Sequence, residues 1–151
     1  MLVSYNTPNK CMKMMYPAHI LALCVVIVNV CCHEEHQKLI PNGNNVPNPC
    51  SKNQTSIWRA VGHFNPDHGD VDINSFAKDF MKSNKTWTRE LCNLDSDGDG
   101  KINGEELGDP SCDWTPGKKP KGPATNHPGI CEPVDSGMCK RLNQGFNLCP
   151  K

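Results

Sequence analysis

The residues of this chain best suited to chemistry stand between positions 95 and 106 and read Asp95-Ser96-Asp97-Gly98-Asp99-Gly100-Lys101-Ile102-Asn103-Gly104-Glu105-Glu106. Carboxylates occupy loop positions 1, 3, 5 and 12, glycine position 6 and an amide oxygen position 9, the pattern of a twelve-residue oxygen-ligand loop for calcium. Calcium is a hard cation that takes six to eight oxygens at about 2.3–2.6 Å, and alternate residues of a tightly wound loop point inward together. Asp95, Asp97 and Asp99 would each offer a carboxylate oxygen, Lys101 its backbone carbonyl, Asn103 its amide oxygen directly or through a water, and Glu106 both oxygens. Gly100 supplies a sharp turn that a Cβ resists. Acids this close repel one another without a cation, so the ion-free loop is expected to be strained or mobile. The expected cofactor is Ca2+. Two features point to a weak site. No second such loop exists in the chain, and Gly108-Asp109-Pro110 stops the exit helix just after Leu107. A dissociation constant on the order of 10⁻⁴ to 10⁻³ M, the range of extracellular modules, is expected.

Other chemistry has less to rest on. His33, His36, His63, His68 and His127 could in principle ligate copper or zinc, but no His-x-His or His-Glu-x-x-His pattern joins them. Neither a Gly-x-Ser-x-Gly motif nor a P-loop is present. The chain is therefore read as no enzyme, and a copper-binding or enzymatic accessory domain has no motif behind it. From His33 onward 14 Lys and Arg face 16 Asp and Glu, a net charge of −2, which makes no case for nucleic acid or an anionic membrane surface.

The elements that must position the loop begin after an apolar run. Residues 20–32 follow Lys10 and Lys13, suit a signal-peptide core and fall short of the about 20 residues that span a bilayer. Residues 1–32 read as a signal peptide cleaved after Cys32, with initiation at Met12 giving the more ordinary form. No later segment is apolar enough to span a membrane, so a secreted, extracellular protein with no membrane insertion is expected. Six cysteines remain beyond it, Cys50, Cys92, Cys112, Cys131, Cys139 and Cys149. An even count in a small secreted chain reads as disulfides, with fifteen connectivities open. Cys92 and Cys112 flank the acidic loop, and a bridge between them would staple it. Cys50–Cys131 would tie the start of the domain to its end, and Cys139–Cys149 would close a small tail loop. A zinc site is disfavoured because no Cys-x₂–₄-Cys pair occurs among these six. Asn53-Gln-Thr55 and Asn84-Lys-Thr86 are sequons for N-glycosylation.

Residues 39–50 are turn-rich, with Pro41, Pro47 and Pro49 excluding helix. Asp72 or Asn74 could cap a helix over Ser75–Lys82 that gathers Phe76, Ala77 and Phe80 on one side. A second helix is predicted over Thr88–Leu94, entering the loop, with Trp87, Leu91 and Leu94 as its apolar stripe. From Asp113 on, recurring Pro and Gly argue for irregular backbone. Trp58, Trp87 and Trp114 read as core in a chain so poor in aromatics. The expected fold is a small disulfide-rich α+β or mostly irregular domain with two or three short helices, few short strands and one EF-hand-like calcium loop.

The motifs now assembled resemble the temptin family. They are Ile40-Pro-Asn-Gly43, Val46-Pro-Asn-Pro-Cys50, Trp58-Arg-Ala-Val-Gly-His63, Asp79-Phe80, Trp87-Thr88, Leu91-Cys92, the loop with Leu107-Gly-Asp-Pro110, Cys112-Asp-Trp114 and His127-Pro-Gly129. The resemblance covers roughly residues 39–131, so the expected division is a temptin-like domain over 33–131 and a Cys-containing C-terminal extension over 132–151. It implies a secreted, disulfide-bonded protein of the kind found in molluscan water-borne pheromone mixtures, acting with other secreted proteins or peptides or with a cell-surface receptor. It also favours the Cys50–Cys131 and Cys92–Cys112 pairs. A calcium-stabilised extracellular matrix or adhesion module is the alternative that the same features fit.

Overall fold

The computed structural model describes residues 33–51, 55–66, 72–143, 146, 148 and 149. Residues 1–32, expected to be a signal peptide, lie outside the described residues, as do Asn53 and His68. His33–Lys151 forms one compact unit.

Among the described residues there are five short helices: α1 His33–Gln37, α2 Ser75–Lys82, α3 Arg89–Cys92, α4 Asn103–Glu106 and α5 Gly137–Leu142. None reaches the length of about 12–15 residues at which an isolated helix becomes even marginally stable, so packing and cross-links must hold them. Local capping starts three of them. The side chains of Asn74, Thr88 and Ser136 accept from the backbone N–H of Ala77, Leu91 and Cys139. Among the described residues no strand forms, and pairing is limited to isolated antiparallel bridges, Pro47 with Ile57 and His63 with Ile73. The fold is thus a small, disulfide-rich and mostly irregular one. The described residues hold five helices where two or three were expected, and isolated bridges where short strands were expected. Prolines account for part of this, since Pro47 and Pro49 have no N–H to extend a ladder.

Two apolar clusters organise the unit. The larger contains Ile40, Val46, Val61, Phe76, Phe80, Trp87, Leu91, Cys92 and Leu107, with Trp114 packed against it. The smaller contains Trp58, Ile130 and Leu148, with Phe64, Val134 and Phe146 around them. Leu94 does not complete the stripe of Trp87 and Leu91. The helix stops at Cys92, the chain turns at Asn93, and Leu94 is left 44 % exposed. Asn42, at φ 52°, pins the N-terminal turn to the far side of the loop by donating from Nδ2 to the carbonyls of Leu107 and Gly122, both at 2.8 Å.

The bridges are Cys92–Cys112, Cys50–Cys149 and Cys131–Cys139. The expected Cys50–Cys131 and Cys139–Cys149 pairs are therefore corrected. The reason lies in Asn143. Its Oδ1 accepts from Cys131 N and its Nδ2 donates to Cys131 O, both at 3.1 Å, which lays α5 and its Cys139 beside Cys131. The chain beyond α5 then packs Leu148 against Trp58, bringing Cys149 to Cys50.

Candidate metal centre

The acidic loop is held between α3 and α4, which pack on each other. Thr88 caps the entry to α3, and its last residue, Cys92, is bridged to Cys112 beyond the exit. The loop closes through a backbone bond from Asn103 N to Leu94 O at 2.7 Å. Gly98 and Gly100 take positive φ, 79° and 99°, where a side chain would be strained.

Within this frame the carboxylates turn inward. Asp95 accepts from Gly98 N at 2.8 Å and from Gly100 N at 2.9 Å. Asp97 Oδ1 accepts from Asp99 N at 3.1 Å, and Asp99 Oδ1 from Lys101 N at 3.0 Å. These bonds wind the loop so that one carboxylate oxygen from each of Asp95, Asp97 and Asp99 lies within 4.8 Å of the others. Asn103 is fully buried, and its Nδ2 donates to Leu91 O at 2.7 Å and to Ser96 Oγ at 2.9 Å. That leaves its Oδ1 buried with no hydrogen-bond partner. Ser96 Oγ in turn donates to Asp79 Oδ2 of α2 at 3.0 Å, which couples the loop to the helix beside it. Lys101 is exposed, its Nζ donating to Asn126 Oδ1 at 2.8 Å.

The fit to a cation rests on what is buried. Glu106 is 0 % exposed and Asp97 only 7 %. Asp97 Oδ2, Asn103 Oδ1 and both Glu106 oxygens are buried with no hydrogen-bond partner. Groups so placed cost several kcal/mol each if they stay charged and unpaired. Burial, followed by the charge of Asp99, pushes the Asp97 carboxyl up to about 7. Burial, followed by the charges of Asp97 and Asp99, pushes Glu106 up to about 9. The cluster cannot hold all its negative charge alone. A hard divalent cation would supply both the missing partner for the four oxygens and the opposite charge, so the donor set suits calcium.

Of the residues predicted for the site, the structure brings Asp95, Asp97, Asp99, Asn103 and Glu106 into one loop and leaves the Lys101 side chain outside. Sequence reasoning missed Ser96 and Asp79, which orient Asn103, and Asn126 and Glu132, which meet the loop from a distant segment. No local spacing signals such partners. The sequon residue Asn84 sits exposed in the turn after α2 with φ 53°. His127 is buried, with Nδ1 accepting from Gly129 N at 3.1 Å.

The fold and site together define a class: small extracellular-type domains stapled by disulfides around a single acidic twelve-residue loop. A family model described as Temptin C-terminal matches residues 30–130. Temptin of Aplysia californica is 43 % identical over 113 residues, covering 74 % of this chain and 88 % of that relative. The chain belongs to the temptin family. No solved structure matches it. The protein is secreted, and among the described residues no helix is long and apolar enough to cross a membrane.

Proposed function

We propose that this protein is a calcium-stabilised component of a water-borne pheromone mixture, acting with other secreted proteins or peptides or with a cell-surface receptor. The observation behind the calcium part is the set of four buried, unpartnered oxygens on Asp97, Asn103 and Glu106. Asp95, Asp97, Asp99, the Lys101 carbonyl, Asn103 and Glu106 would hold the ion. Calcium here is structural. It neutralises the loop and keeps α3, α4 and the adjoining α2 in one presentation, with no catalytic step. Family membership supports the pheromone part.

Calorimetric titration of folded, oxidised protein tests the metal. Calcium is expected to bind with a dissociation constant on the order of 10⁻⁴ to 10⁻³ M, and Glu106→Gln is expected to remove measurable binding. An absence of heat with the wild-type protein sinks the reading. Attraction assays with purified protein, alone and with its co-secreted factors, test the signalling role. Retention in tissue matrix with none in secreted fluid would favour an adhesion module instead.

A further inference from the structure

The loop lacks a paired second loop, yet another segment of the chain is applied to it. Lys101 Nζ donates to Asn126 Oδ1 at 2.8 Å, and the backbone N–H of Glu132 donates to Asp99 Oδ2 at 3.4 Å. The Glu132 side chain does not extend into solvent. Its Oε1 accepts from His127 N at 2.9 Å, which folds the half-buried carboxylate back over the turn 127–132. The segment is fixed in turn from behind, because Cys131 is bridged to Cys139 and doubly hydrogen-bonded to Asn143. Glu132, Asn126 and the loop residue Lys101 line one surface cavity where this segment meets the loop.

We propose that Glu132, from outside the loop, is a fifth acidic group of the divalent-cation site, raising its affinity by charge and taking over part of the support that a second loop gives in paired sites. This rests on the reading of residues 95–106 as a calcium loop. Glu132 lies beyond residues 30–130, so the family match does not speak to it. The physical basis is long-range. A unit negative charge held by a rigid turn beside a partly buried site attracts a divalent ion without touching it, and an effect of about tenfold on affinity is the expected order. The group is a positioning charge, and its backbone N–H also steadies Asp99.

Glu132→Gln tests the idea, because glutamine keeps an oxygen to accept from His127 N and removes only the charge. Glu105→Gln, on an exposed side chain of α4, is the control for total charge. Calcium titrations and thermal unfolding in EDTA are run on all three proteins. The expected result is about tenfold weaker calcium binding by Glu132→Gln, less than about twofold change for Glu105→Gln, and an ion-free Glu132→Gln protein at least as stable as wild type. That pairing is specific to a charge, since removing it weakens the bound state while relieving repulsion in the free one. Equal affinity of Glu132→Gln and wild type overturns the proposal and leaves the calcium loop standing. Weaker binding accompanied by lower stability in EDTA also overturns it, by assigning Glu132 a structural role. Absence of binding by wild type overturns both readings together.

Discussion

At the scale of single residues, two buried polar side chains outside the loop carry testable weight. Asp109 is fully buried and held by three N–H donors. Trp87 Nε1 and Trp114 N reach its Oδ2 at 3.0 and 3.2 Å, and Asp113 N reaches its Oδ1 at 3.2 Å. Asp109→Asn keeps the shape but offers one acceptor oxygen and turns an NH₂ toward a donor. A loss of about 2–3 kcal/mol in urea unfolding is expected, and no loss would show that the carboxylate is idle. His127 is the second. It lies edge-on to Trp58 with ring centroids 5.3 Å apart, and burial pushes it down to about 3 from 6.5. The folded value is below the unfolded one. The stability this provides is whole above about pH 6.5 and is lost as pH falls from there toward 3. Asp97 and Glu106, both raised in the ion-free protein, act in the opposite sense over acid pH, so the comparison must isolate the histidine. Thermal unfolding in EDTA should fall less steeply with acid for His127→Asn than for wild type, whatever their stabilities at pH 7.5. Parallel curves would mean that His127 charges without cost.

At the scale of elements, the unit that matters is α3, loop and α4 with the Cys92–Cys112 bridge. Gly104 lies inside α4, where alanine would ordinarily favour helix by about 1 kcal/mol. Here a Cβ would stand 2.3 Å from Cys92 Sγ and 2.6 Å from the Asp109 carbonyl. Packing decides the sign, and Gly104→Ala is expected to destabilise by about 1–3 kcal/mol in denaturant unfolding. A gain would mean that the bridge can shift aside. The same unit shows what could be read in advance. The clustering of Asp95, Asp97 and Asp99 and the helix α2 over Ser75–Lys82, with Asn74 taking the cap that Asp72 or Asn74 could have supplied, were legible because their determinants are local: alternating acids, a cap and an apolar stripe. The shortness of α3 was not legible, nor was the exposure of Leu94, because an early stop at Cys92 outweighed periodicity. The six-residue α5, sitting among Pro and Gly, gave too short a signal, although Ser136 caps it. The bridges to Cys131 and Cys149 depended on Asn143, Trp58 and Leu148, contacts that no sequence spacing encodes. Glu132 and Asn126 escaped for the same reason, meeting residues 33 and 25 positions away.

At the scale of the whole molecule, the two apolar clusters are stapled separately, and this makes the bridges unequal in a predictable way. Cys92–Cys112 spans 20 residues and lies at the larger cluster, on both flanks of the acidic loop. Cys50–Cys149 spans 99 residues and lies at the smaller cluster, where Leu148 covers Trp58. Loop-closure entropy assigns about 3 kcal/mol to the first span and about 4.7 to the second, so thermal stability should fall more when Cys50 and Cys149 are both changed to Ser. Calcium affinity should follow the reverse order. The long bridge lies at the smaller cluster, and α5 stays tethered through Cys131–Cys139, so its removal should leave the dissociation constant within about threefold. Removing Cys92–Cys112 releases entry and exit together. The ion must then order those flanks itself, and binding should weaken by an order of magnitude or more. Tryptophan fluorescence separates the two lesions. Freeing the tail should open Trp58, wholly buried in the native protein, to a soluble quencher, while Trp87, also buried and anchored to Asp109, stays shielded. If both double variants instead lose calcium binding to the same degree, the clusters form one cooperative body, and the loop depends on the whole cage and not on the staple at its own flanks.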